Sequence, residues 1–401
     1  MRGPVVVVGA SLVGLRVAEQ LRRRGHDGPV TVVGEELHAP YDRPPLSKQV
    51  LRGADATTVA LRDAAALAAL DVDFRLGRRA VGLDRAAASL TLDDGSVLAY
   101  DDLVVATGSA ARRLPFGQEL AGVCTLRTLD DALALRDELR RGPRVVVIGA
   151  GFIGCEVAAS LRTLDVPVTL VEAGPAPLAG PLGEEAGARI GRLHEEHGVQ
   201  LRCGTGVAGL TGSTAVEAVV LADGAVLPAD VVVVGIGGRP ATDWLAGSGL
   251  DLADGVACDE HGRAAPGVWA AGDVARWHNP LFREHLRVEH WTTAGEQATV
   301  VARNLLGGDD GRLVSYRGVP YFWSDQYDAR IQFAGHRRPG ESLRTVPTDQ
   351  PDRHVALVER DGLLVGALAV NAPRELLRYR SLIAAGAPAA EAAPALSGAL
   401  A

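Results

Sequence analysis

Two stretches of the chain repeat one pattern of apolar and polar positions. Val5-Val6-Val7-Val8 run without a polar break into Gly9-Ala10-Ser11-Leu12-Val13-Gly14, and Val145-Val146-Val147-Ile148 run into Gly149-Ala150-Gly151-Phe152-Ile153-Gly154, at an offset of 140 residues. An unbroken β-branched run of this kind predicts a strand covered on both faces, as in a parallel sheet. After each last glycine the apolar positions change to helical spacing: Gly14, Val17, Ala18 and Leu21, then Gly154, Val157, Ala158 and Leu161. Each predicted helix is followed by a second strand ending in an acid, Val30 to Glu35 and Val168 to Glu172. The chain therefore holds one βαβ plan twice.

Both copies close alike. Leu103-Val104-Val105 lead into Ala106-Thr107-Gly108, and Val231 to Val234 lead into Gly235-Ile236-Gly237, where the glycines let backbone approach a ligand at strand ends. Residues 262–277 give a further strand and the turn Ala271-Gly272-Asp273, which predicts that the first domain resumes after the second is inserted. From about Tyr316 the pattern turns to mixed strands, Arg330 to Phe333 and His354 to Val358, then a helix around Glu375 to Ile383. The alanine- and proline-rich stretch from Ala384 reads as a poorly ordered tail. The predicted fold class is α/β, with two Rossmann-type dinucleotide-binding domains and a smaller α+β C-terminal domain. The expected boundaries are 1–111 with 240–315, 112–239, and 316–401.

Composition narrows the function. At 401 residues the chain has room for two or three domains, and no apolar run reaches the ~18 to 20 residues of a membrane helix, so a soluble protein is expected. The apolar stretch Pro4 to Val13 lacks a small-residue cleavage site, so the fold is expected to begin at Met1. Cys124, Cys155, Cys203 and Cys258 are widely spaced with no CxxC, which fits a reducing, cytoplasmic setting. A formal charge of −8 argues against nucleic acid as a partner.

The glycine turns carry the chemistry. A pyrophosphate needs outward-pointing N–H groups with no side chain in the way, and a glycine turn opening a helix supplies both, together with the positive end of the helix dipole. The second copy matches the dinucleotide fingerprint in full, with Gly149, Gly151 and Gly154 and with Glu172 placed to accept from a ribose diol. In the first copy, Gly9 and Gly14 flank Ser11, whose hydroxyl can itself donate to a phosphate, and Glu35 stands where the acid belongs. Glu172 is followed by Ala173-Gly174-Pro175-Ala176-Pro177, with no cation to neutralise a 2′-phosphate, so NADH is favoured over NADPH. His194 and His197 lack a third ligand at suitable spacing, so they read as an exposed helix face and no metal is expected. There is no GxSxG elbow and no Walker sequence.

Four further segments resemble the FAD-dependent ferredoxin reductases that serve Rieske-type oxygenases and bacterial cytochrome monooxygenases, relatives of rubredoxin reductase and apoptosis-inducing factor. They are Pro40-Tyr41-Asp42-Arg43-Pro44-Pro45-Leu46-Ser47-Lys48, Ala271-Gly272-Asp273, Arg287-Val288-Glu289-His290-Trp291 and Tyr321-Phe322-Trp323-Ser324-Asp325-Gln326-Tyr327. The likeness runs from about residue 4 to residue 385 and implies a glutathione-reductase-like fold. It implies FAD in the first unit, NADH in the second, and a third domain that helps form the flavin face and the docking surface. Glu35 would then bind the adenosine ribose, and Arg43, Lys48 and Arg127 would lie along the pyrophosphate and flavin. Asp273 would bind the ribityl chain or pyrophosphate, with His290, Trp291 and Trp323 also among the flavin-side residues. Glu156 would pair with Lys48 beside the flavin.

Each of these residues also has a plainer reading. Asp273 can cap a following helix, Glu156 can sit in a first turn for the sake of the dipole, and Trp291 and Trp323 can be core aromatics. Disulfide reductases of this architecture relay electrons through cysteine, yet residues 36–60 contain none, so electrons are expected to leave directly from the flavin. The resemblance implies hydride transfer from NADH to FAD, then single electrons to a ferredoxin-type iron–sulfur partner that feeds a monooxygenase or dioxygenase. A redox-sensing flavoprotein and a rubredoxin reductase are the alternatives. Arg303, Arg330, Arg337 and Arg338 are candidates for a basic docking patch, on a chain expected to be a monomer or weak dimer.

Overall fold

Val5–Val8 is an inner strand of a six-stranded sheet in the computed structural model, which describes residues 2–392 apart from 309, 349 and 351. The sheet runs Arg263–Ala265, Val268–Ala270, Asp102–Val105, Val5–Val8, Val30–Gly34, Asp73–Leu76. Only the pairing of its first two strands is antiparallel. All four valines of Val5–Val8 are buried, as expected for a strand with neighbours on both edges and cover on both faces. Helix Leu12–Arg23 carries the chain from Val5–Val8 to Val30–Gly34, and the chain later returns to the other side of Val5–Val8 through Asp102–Val105. Connections thus leave in opposite directions beside Val5–Val8, which makes a topological switch point, the place where open α/β sheets take ligands. Helix Leu12–Arg23 packs on helix Trp291–Leu305. This first compact unit comprises Met1–Asp42, Ala60–Ala110 and Pro240–Phe322.

The second unit comprises Arg43–Val59, Ala111–Arg239 and the chain from Trp323 on. Its parallel sheet runs Gln200–Cys203, Val168–Glu172, Val145–Ile148, Val231–Val234, Val123–Cys124, with a switch point between Val145–Ile148 and Val231–Val234. The repetition goes deeper than the glycine motifs. Each parallel sheet is interrupted before its return strand by a three-stranded antiparallel sheet, Ala80–Asp84, Ser89–Leu92 and Val97–Ala99 in one unit, Val207–Thr211, Ala218–Leu221 and Val226–Pro228 in the other. A further five-stranded sheet orders Tyr321–Gln326, Ala329–Gly335, Leu363–Val370, His354–Arg360 and Arg344–Val346, with helix Pro373–Ala385 lying on Ala329–Gly335 and Leu363–Val370.

Two features differ from the sequence expectation. Residues 43–59 and the C-terminal sheet fold with residues 111–239 in one unit. The stretch from Ala384, expected to be poorly ordered, is built in as far as residue 392: Leu364 N donates to Ala387 O at 3.1 Å, Ala389 N donates to Gly362 O at 2.8 Å, and Ala387, Ala389 and Ala392 are buried. Small side chains let this segment lie flat against a turn by backbone bonds, which leaves no periodic signature. Residues 393–401 of the expected tail lie outside the described residues.

The glycine turns are backbone contacts. A Cβ on Gly14 would stand 1.9 Å from Gly9 O, and one on Gly154 would stand 1.9 Å from Gly149 O. Gly14→Ala and Gly154→Ala should therefore each cost about 1–3 kcal/mol through overpacking. Lower thermal unfolding midpoints are the expected result, while Gly82→Ala, whose Cβ meets open space, leaves the midpoint in place.

Candidate functional site

The two fingerprint helices, like helix Trp291–Leu305, begin without a cap or acid of their own, unlike two helices of the second unit. Helix Leu129–Leu139 has a capping box between Thr128 and Asp131, and helix Glu184–Glu196 has Glu184 and Glu185 in its first turn. Helices Leu12–Arg23 and Phe152–Thr163 have neither a side-chain cap nor an acid in the first turn. Their first amide groups and positive poles are left for an anion. Ser11 stands at the first of these starts with its hydroxyl not engaged in capping, and a Cβ on Gly151 would meet nothing nearer than Gly235 O at 4.0 Å. Both turns can accept a pyrophosphate.

Around each turn the expected residues take their places within one unit. In the first, Gly9 has φ +124° and its missing Cβ leaves room for Ala106 O, while Thr107 Oγ1 donates to Ala241 O at 2.8 Å and Gly108 O accepts from Ala241 N. Glu35 is exposed just after strand Val30–Gly34. In the second, Glu172 Oε2 accepts from Ala150 N and Oε1 from Gly174 N, both at 2.7 Å, so the carboxylate is fixed against the glycine turn. Gly149 packs against Gly235 O, and Gly237 takes φ +95°.

A buried ion pair dominates the polar interior of the second unit. Lys48 Nζ lies 2.6 Å from Glu156 Oε2, with both side chains buried. Glu156 is in the second turn of its helix and withdrawn from solvent, so its place there is not explained by the dipole of the first turn. Ser47 Oγ donates to Glu156 Oε2 at 2.5 Å and Ser324 Oγ to Glu156 Oε1 at 2.7 Å. Lys48 sits on a π-helical turn, Leu46–Val50, that packs on helix Phe152–Thr163, and Ser160 Oγ fixes the same turn through Ser47 O at 2.7 Å. Ser47 and Ser324 both lie in segments that carry the resemblance, but nothing in local spacing marks either serine as the partner of a distant glutamate.

Other expectations divide. Arg43 Nη1 donates to Arg127 O at 2.6 Å, which brings two of the predicted cofactor residues together. Asp273 is followed by strand Ala275–Asn279 and not by a helix, so the capping reading fails, and the turn is instead held by buried Gln297, whose Oε1 accepts from Gly272 N at 2.9 Å. Trp291 is 36% exposed and donates to Asp42 Oδ1 at 2.7 Å, and Trp323 is half-buried, so neither is a core aromatic; Trp277 and Trp269 are. His290 stacks obliquely near Phe322, with Nδ1 shut away from solvent and its pKa drawn down to about 4 by burial, against the pull of Asp273. The histidine expectation is overturned. His194 is fully buried, bonded to Gln326 and Tyr327, and only His197 is exposed.

The arginine patch is also changed, since Arg337 spends its guanidinium on Gly180 O and Glu341 O, and Arg330 faces Asp325 at 3.8 Å. Burial raises all four thiols, Cys203 to about 11 and Cys124 to about 12, so none is poised as a thiolate. Among the described residues no group of three or more His, Cys, Asp or Glu is placed to hold a metal.

Comparison with known proteins bears on the same features. Residues 3–298 match the family described as pyridine nucleotide-disulphide oxidoreductase, and residues 321–396 match the family described as reductase C-terminal. The chain is 42% identical to the ferredoxin–NAD(+) reductase component of an anthranilate 1,2-dioxygenase system of Burkholderia cepacia, over 96% of this chain and 95% of that protein. It is 36% identical to a putidaredoxin reductase of Pseudomonas putida, over 94% of this chain and 91% of that one. Among solved structures, a covalent complex of putidaredoxin reductase with putidaredoxin aligns with a TM-score of 0.90 at 34% identity, covering 96% of this chain and 94% of that one.

Two outcomes follow from the interior. Lys48→Met leaves a carboxylate buried without its cation and should cost about 3 kcal/mol, most of it recovered in Lys48→Met/Glu156→Gln, as read by thermal unfolding. His194 has a pKa lowered to about 4 by burial, against 6.5 when unfolded. As pH falls from about 6.5 to about 4, the unfolded chain takes a proton at this residue that the folded chain refuses, so the contribution of His194 to stability declines by up to about 3 kcal/mol and then levels off. Unfolding followed across that range should show a shallower decline in His194→Gln.

Proposed function

The chain belongs to the pyridine nucleotide-disulphide oxidoreductase family, and on that premise we propose that it is an FAD-containing, NADH-dependent reductase that passes electrons to a ferredoxin-type iron–sulfur protein of an oxygenase system. The two uncapped glycine-turn helix starts, one at the switch point of each repeated sheet, carry this reading. The turn at Gly9, Ser11 and Gly14 holds FAD and the turn at Gly149, Gly151 and Gly154 holds NADH, each by backbone N–H groups. Support for the carrier comes from relatives named as reductase components of dioxygenase systems and from the putidaredoxin complex. Among the described residues no helix is long and apolar enough to cross a membrane, and four unpaired thiols support a reducing, cytoplasmic setting.

Bound FAD supplies the conversion of a hydride donor into a source of single electrons, so that NADH and two oxidised carriers give NAD+, two reduced carriers and a proton. The chain's part is to bind and to set charge. Glu172, already fixed by two backbone donors, accepts from the ribose diol of NADH and sets a negative charge where NADPH would bring a second one. Glu35 serves the adenosine ribose of FAD. Arg43 and Arg127 neutralise phosphate charge, and Asp273, His290, Trp291 and Trp323 line the flavin side. Lys48 holds a positive charge that favours the reduced flavin, and Glu156 holds Lys48 in place.

A panel of ferredoxins and rubredoxin assayed with NADH and NADPH in parallel tests this. Fastest turnover is expected with NADH and a ferredoxin, and Glu172→Ala should narrow the NADH preference by about tenfold. A protein that stays colourless after reconstitution with FAD, or a yellow protein that NADH does not bleach under argon, would defeat the reading.

A further inference from the structure

Beyond Glu156, the second unit carries a row of buried polar side chains that this function leaves unused. From Glu156 it passes through Ser324, Gln326 and His194, all fully buried, to Tyr327, on whose ring the exposed His197 stacks at 3.7 Å and 13°. Ser324 and Gln326 come from strand Tyr321–Gln326 and His194 from helix Glu184–Glu196.

Elementary chemistry fixes the direction of every bond in the row. Gln326 Oε1 has no hydrogen, so His194 Nε2, 3.1 Å away, must be the donor. The neutral ring then has its lone pair at Nδ1, and Tyr327 O–H donates to it at 3.0 Å. At the other end of the amide, Gln326 Nε2 donates to Ser324 Oγ at 3.1 Å, and the single hydroxyl hydrogen of Ser324 goes to Glu156 Oε1 at 2.7 Å. Each hydrogen points toward the carboxylate. An amide nitrogen is not a base, so Gln326 interrupts any proton relay, and the row serves to hold and not to conduct.

We propose that His194 is a positioning residue for the Glu156–Lys48 pair. Its Nε2–H fixes which end of the Gln326 amide faces Ser324, the amide fixes the hydroxyl of Ser324, and that hydroxyl decides whether Glu156 Oε1 receives a hydrogen bond while Oε2 holds Lys48. Without the imidazole donor the amide is free to turn over and present Oε1 to Ser324, whose hydrogen is then drawn away from Glu156. In a dry site a carboxylate oxygen that loses its donor draws its cation across, so Lys48 moves. The inference rests on the role proposed above for Lys48.

The test uses FAD-loaded protein and two readouts, the midpoint potential of the flavin and the rate constant for its reduction by NADH under argon. His194→Ala and Ser324→Ala are each expected to lower the potential and slow reduction by about tenfold, the worth of one hydrogen bond to a charged group. The double variant should match either single one, because both act through the same hydroxyl. His194→Gln, which keeps an N–H donor, should behave as the wild type. Additive effects, or single variants that lose only thermal stability while potential and rate hold, overturn the proposal. Should His194→Ala fail to fold, Ser324→Ala, which removes a single hydroxyl, carries the test; an unchanged potential there counts against the row. Nitrogen-15 NMR of His194 gives a readout independent of flavin: the Nε2–H tautomer is expected, and Nδ1–H would end the argument. A Lys48→Met protein with wild-type potential and rate would instead sink the assigned role of Lys48.

Discussion

A carboxylate buried at Glu156 has to be answered by donors, and in this protein the answer recruits much of the second unit. Lys48 and Ser47 come from a short turn that sequence order would assign to the first unit, and Ser324 comes from the C-terminal sheet. Taking the ionised group out of water is costly by several kcal/mol, so these three segments are bound to one another wherever Glu156 goes. The constraint accounts for the way residues 43–59 fold with residues 111–239, a grouping that follows no boundary in the chain.

Local periodicity made the parallel sheets legible. Val5–Val8 and Val145–Ile148 could be read as buried strands because four successive apolar residues leave no polar face for solvent, and Gly14 and Gly154 could be read as helix starts because the apolar spacing changes just there. What could not be read depends on residues far apart in sequence. Ser324, Gln326 and His194 look like ordinary polar positions until the fold buries them, and His194 in particular sits among glutamates that suggest an outer face. At Asp273 only the plainer capping reading falls away, since the chain turns into a strand there. The resemblance to a known family named the residues of the charged pair, and the structure added what holds them.

Duplication left the two halves alike in plan and different in detail. Both keep the close carbonyl contact at the glycine turn, because a Cβ cannot be fitted there. The middle position is not so constrained: it faces open space, and one copy has Ser11 where the other has Gly151. Shape requirements at the outer glycines and ligand requirements at the middle one are thus separable, which is how one architecture can serve two different nucleotides.

The withdrawn thiols have a practical bearing of their own. With Cys203 near 11 and Cys124 near 12, and Cys155 and Cys258 raised further by burial, the reactive fraction of any of them at neutral pH is on the order of one in ten thousand or lower. Peroxide formed by stray electron loss to oxygen would find little thiolate to attack. The same inertness makes the native chain a quiet background for a single engineered surface cysteine carrying a fluorophore or spin label, with no need to strip out the residues already there.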